Sequence, residues 1–260
     1  MKVMFLVFSV IFCSIINSAC SEEELELISE RPENIIPSTV RAETLQSIQL
    51  LFPEAENQRL KNPALFEATS EKRIVLSQSS DVYLTFVSEG ASFQNSLGYY
   101  VYNSNSIPSK TSQLGLNIVF PNVSDVILKQ GDMIQVGNTA FPAGTVIGFF
   151  LIRDGWQNGL IQFNREKIYT DQSFNVTGLQ QHVLFKLENF GDIILGFEDV
   201  TETTPGISDN DFNDIVFTVT DNKLNLEVVK FNIDSVVTVS YTHLRAHETK
   251  ANLVCRLLLE

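Results

Sequence analysis

The chain has 260 residues, 44% of them hydrophobic, and a formal net charge of −13. That length supports one substantial core, or one domain with an extension. A surface this acidic repels phosphate backbones, which excludes nucleic acid as the expected partner and favours cations.

In chain order, Lys2 precedes an uncharged apolar run from Val3 to Ile16, followed by Asn17, Ser18, Ala19 and Cys20. A positive start, a short apolar stretch and small residues at its end describe a secretory signal over residues 1–19, too short for a membrane-spanning helix. Cys20 stands where a bacterial lipobox places its lipidated cysteine, although Asn17 departs from the usual Leu. Ser21 to Glu24 resembles the acidic export signal of Bacteroidetes surface lipoproteins. The expectation is a protein on the bacterial outer membrane or cell surface, held to the membrane by a lipid on Cys20. Residues 20–40 then read as an acidic tether.

Residues 41–69 form a helical lead-in. Leu45, Ile48, Leu51 and Phe52 fall at helical spacing between Arg41 and Phe52, and Pro53 ends the run. From 70 to 232, strand-like runs dominate: Arg73–Leu76, Val82–Val87, Leu97–Tyr102, Leu116–Phe120, Thr145–Ile152, Lys167–Thr170, His182–Leu187, Ile193–Phe197, Asp214–Val219 and Asn225–Phe231. Short β-branched and aromatic runs without long intervening helices predict an all-β fold, an antiparallel, jelly-roll-like β-sandwich with a short N-terminal helix. Runs such as Val146 to Ile152 are apolar on both faces, so one face belongs to the sandwich core and the other lies under loops or the early helix.

Residues 233–238 begin a natural C-terminal region that is expected to be truncated. Residues 239–260 hold two of the three histidines and one of the three cysteines, and resemble the translation of a sequencing adapter; an amphipathic helix through Leu253, Leu257 and Leu258 is the alternative. Without this tail and Lys2, 14 basic residues face 29 acidic ones, a net charge of −15. Cys13 leaves with the signal and Cys255 with the tail, so Cys20 is left without an intrachain disulfide partner.

Phe86 to Ala91, Asn95 to Tyr100, Ile118 to Asn122, Ala143 to Ile152, Gly155-Trp156, Gly196 to Asp199 and Ser208 to Asp214 form an ordered series of motifs. Together they resemble domain of unknown function 4114, as found in the N-terminal half of LruC-domain bacterial lipoproteins. The resemblance covers roughly residues 82–219 and implies a β-rich secreted or surface domain without an established activity. In such proteins more sequence follows.

The chemistry concentrates between Leu195 and Phe217. Glu198, Asp199, Asp209, Asp211 and Asp214, with Asn213 among them, are bracketed by apolar runs. Like charges at the ends of buried strands need a cation, hydrogen-bond donors or water. Asp209, Asp211 and Asn213 match the start of an EF-hand loop, but Asp214 stands where Gly is required and Thr220 where Glu is, so an EF-hand is rejected. The expectation is instead a strand-end Ca²⁺ site using Glu198, Asp199, Asp209, Asp211, Asn213 and Asp214. A polar corner that caps its own turns without an ion is the alternative. Glu89 with Glu198 would be the pair for a glycan-active enzyme, but no second catalytic signature accompanies them. Trp156, in the loop from Asp154 to Gly159, either offers a ring to a ligand or anchors the loop; Glu89 is a further candidate contact. Asp234 to Val236 resembles a Bacteroidetes O-glycosylation acceptor. The function expected is adhesion, or glycan or matrix binding, at the surface, without catalysis.

Overall fold

The computed structural model describes residues 29–203, 206–224 and 226–240. The proposed signal, Cys20 and the tail from 241 onward lie outside the described residues. The elements in order are β1 (Ile36–Pro37), α1 (Ala42–Leu51), α2 (Gln58–Lys61), β2 (Ile74–Val75), β3 (Tyr83–Glu89), β4 (Asn95–Asn103), β5 (Asn117–Val123) and β6 (Asp132–Gln135). They continue with β7 (Thr145–Ile152), β8 (Trp156–Gln157), β9 (Leu160–Ile161), β10 (Lys167–Tyr169), β11 (His182–Leu187), β12 (Ile193–Phe197), β13 (Ile215–Thr220) and β14 (Val237–Val239). Among the described residues no helix is long and apolar enough to cross a membrane.

Two sheets pack as a sandwich. One has the strand order β1-β6-β3-β13-β12-β11-β14, the other β10-β7-β4-β5, with β2 also on β7. Pairing is antiparallel except between β11 and β14, where Leu187 lies opposite Val239 in parallel. The expected β-sandwich is therefore the fold.

Side-chain alternation explains why so many strands are apolar throughout. On β7, Ile147, Phe149 and Leu151 enter the core between the sheets, while Val146, Phe150 and Ile152 pack outside with Tyr100, Tyr102 and Tyr169. On β12 and β13, Leu195 and Phe217 face inward while Ile194 and Val216 face outward. Helix α1 covers that outer face through Ile48 and Leu51, and the next residue, Phe52, stacks on Phe185 with ring centroids 5.0 Å apart. Each such fully buried side chain is worth about 1.5–3 kcal/mol over exposure. Asp192, beside β12, accepts hydrogen bonds from Arg41 and Thr44 and fixes where the helix starts.

One expected strand is absent. From Leu226 to Phe231 only Phe231 bridges to another segment, at Leu76. Three of its amides are already taken locally, since Asp221 Oδ2 accepts from the Val229 and Lys230 N–H groups and Asn222 Oδ1 from Leu226 N–H. Such side-chain acceptors compete directly with a sheet ladder.

Candidate functional site

The acidic end is built by the β12–β13 pair. Phe197 lies opposite Ile215, so Glu198 and Asp199 leave one strand where Asp214 enters the next. Asp214 Oδ2 accepts the Asp199 N–H at 2.7 Å. Thus the two carboxylate sets meet as strand pairing requires.

Between them the loop turns sharply, with Asn210 and Phe212 both at φ 59°. A left-handed aromatic residue is costly, by roughly 1–2 kcal/mol. Burial holds it there: Phe212 is fully buried in the cluster under α1, 5.1 Å from the Phe66 ring, with the Arg59 guanidinium over its face. Gly196 makes room for the turn, because a Cβ there would stand 2.5 Å from the Phe212 carbonyl oxygen.

The helical lead-in completes the corner. Asp211 Oδ2 accepts the Ala55 N–H at 2.9 Å and Asp211 Oδ1 the Asn213 N–H at 3.1 Å. Asn213 Nδ2 donates to the Phe52 carbonyl, Gln58 N–H to the Asn210 carbonyl, and Arg59 Nε to Asn210 Oδ1. As a result, carboxylate oxygens of Glu54, Asp209 and Asp211 lie within 4.8 Å of one another, with Glu54 and Asp209 exposed and Asp211 buried. Glu54 was not expected from the sequence.

Behind this triad sit Glu198 and Asp199, each 2% exposed. Burial, with Asp209 and Asp211 adding repulsion, pushes the Glu198 carboxyl up to about 7, against a hydrogen bond from Ser208. Burial and the charges of Asp199 and Glu198 push Asp214 higher still. Asp199 is also raised by burial, but Asn95 Nδ2 donates to its Oδ2 at 2.7 Å and Arg153 opposes the shift. Asp211 is raised by burial as well. Asn95 in turn accepts the Asp154 N–H, tying the acidic end to the loop that carries Trp156.

The other expected contacts fare differently. Trp156 is 5% exposed and its backbone N–H donates to the Gln94 carbonyl, so it is a folded-back anchor that offers no open ring to a ligand. Glu89 ends β3, accepts the Asp125 N–H at 3.3 Å, and is raised by burial and by Asp125 and Asp199. His182 is buried, with Nε2 against the Lys72 carbonyl and its pKa lowered to about 4 by burial. It lies outside the acidic group, whose donors are all oxygen.

No curated protein and no solved structure matches the chain. Residues 141–222, which carry β7 through β13 and the loop of the acidic end, match the family model described as Domain of unknown function (DUF4114).

Proposed function

We propose that this is a lipid-anchored bacterial surface protein whose β-sandwich is stabilised by Ca²⁺ at the acidic end and serves adhesion or glycan or matrix contact. In this reading it corresponds to the N-terminal half of the LruC-domain lipoproteins. The convergence of Glu54, Asp209 and Asp211 in front of the buried Glu198 and Asp199 and the half-buried Asp214 carries the proposal. Ca²⁺ takes 6–8 oxygen ligands in loose geometry, which suits a donor set of carboxylates and loop carbonyls. Zinc and copper prefer imidazole and thiolate, which this corner lacks. An ion would bring Glu54 of the lead-in and the 209–211 loop onto one centre, and so clamp the covering helix to the sheet.

A corner without an ion is the second reading, favoured by the local bonds from Asn213 N–H to Asp211 and from Asn210 N–H to Ser208 Oγ. Thermal unfolding separates the two. An ion that binds only the folded state raises its stability by mass action, by about 2.7 kcal/mol at a hundredfold excess over Kd. The expected result is a higher Tm in calcium than in chelator; equal values would leave the ion-free corner. The anchor is tested by fatty-acid labelling of wild type and Cys20→Ala, with label expected only on the former and equal labelling defeating the claim.

A further inference from the structure

A cleft of about 490 Å³, within the range of small-ligand pockets, shares no lining residue with the acidic end. Both sheets contribute, with Tyr99 on β4 and Asn117 on β5 from one and Gln135 on β6 from the other. Asn34 before β1, Asn138 after β6 and Phe163 after the β8–β9 hairpin complete the part that matters chemically.

Phe163 is 49% exposed, so its ring keeps free surface. The Tyr99 hydroxyl and the side chains of Asn34 and Asn138 make no hydrogen bond among the described residues. Gln135 uses Nε2 on Asp81 and Asn117 uses Nδ2 on the Gly115 carbonyl, which leaves both amide oxygens able to accept. Gly137, at φ 73°, keeps space at the tyrosine: a Cβ there would lie 2.8 Å from Phe141 Cζ and 3.3 Å from Tyr99 Oη. Among the described residues Glu33 is the single charged one on the lining, and neither Lys nor Arg contributes.

We infer that this cleft is a subsite for an uncharged carbohydrate. A sugar ring offers a C–H face that packs on an aromatic ring, and hydroxyls that both donate and accept, as amides and a phenol do. An acidic sugar would find no cation on the lining, where Lys167 is turned to the Phe163 carbonyl, and would meet Glu33. The inference gives a location to the glycan contact proposed above; it rests on that part of the reading and not on the calcium.

The test is calorimetric titration with maltotriose, cellotriose and N-acetylchitotriose, alongside trigalacturonate and an uncharged extended peptide. Wild type, Phe163→Ala, Tyr99→Phe and Asn138→Ala are compared in calcium and in chelator, with Tm checking the fold of each. At least one neutral trisaccharide is expected to bind at millimolar Kd or tighter. Phe163→Ala should weaken it about fivefold or more at unchanged Tm, as loss of an aromatic contact implies. Absence of binding by all neutral sugars, preference for trigalacturonate or the peptide, or unchanged affinity in all three variants overturns the inference. Sugar binding without any calcium effect on Tm defeats the calcium reading alone; a calcium effect without sugar binding defeats the cleft alone.

Discussion

Gly196→Ala should damage the acidic end from inside the sheet. The new methyl would stand 2.5 Å from the Phe212 carbonyl oxygen and 3.1 Å from Val183 Cγ2. The first contact is with backbone, so no rotamer change relieves it, and the 209–214 loop must move away from β12. Overpacking of this kind costs about 1–3 kcal/mol. Against it, replacing Gly restricts the unfolded chain and returns about 0.4–1 kcal/mol. The net loss is therefore about 1–2 kcal/mol, which for a domain of this size lowers Tm by roughly 2–8 °C. Scanning calorimetry in chelator measures it, with Gly115→Ala as control, because nothing lies within 4 Å of a Cβ there. The displaced loop should also blunt the rise of Tm with calcium. A Gly196→Ala protein as stable as the Gly115→Ala control would refute the claim that Gly196 seats the Phe212 turn.

The buried Glu198 and half-buried Asp214 carboxyls predict an unusual pH profile. Glu198 and Asp214 have folded pKa values raised above their unfolded ones, so between those values the folded state holds protons the unfolded state has lost. Stability in chelator should then fall as pH rises from about 5 to 8, and a Tm that climbs over this window would contradict the assignment. Asp214→Asn keeps an acceptor for the Asp199 N–H while removing one charge. It should flatten that slope and raise Tm at pH 8 by a few degrees, about 1 kcal/mol or more; a steeper slope would count against it.

Periodicity made the frame of this protein readable. Helix α1 occupies Ala42–Leu51 within the expected run, and β7, β11 and β12 have the bounds their apolar stretches suggest. Strand adjacency likewise made the meeting of Glu198 and Asp199 with Asp214 readable. Glu54 was not legible, because nothing local marks an exposed Glu after a helix, and Ala55 reaches Asp211 across 156 residues. Strand β6 is not legible because its apolar centre is only Met133 and Ile134, which propensity alone cannot separate from a loop. The run ending at Phe231 failed for the opposite reason, its strand-like composition being overruled by Asp221 and Asn222. Side-chain acceptors of this sort leave no periodic trace.

The most direct test of the cation site is titration of Ca²⁺ into the domain by calorimetry, comparing wild type with Glu54→Gln. Glu54 is exposed, so the variant should keep its Tm in chelator. Saturable binding to wild type, with Kd between micromolar and millimolar, and about tenfold weaker binding to the variant is the result expected. No saturable heat with wild type, or equal affinity in both proteins, would contradict a calcium site that joins the helical lead-in to the acidic end.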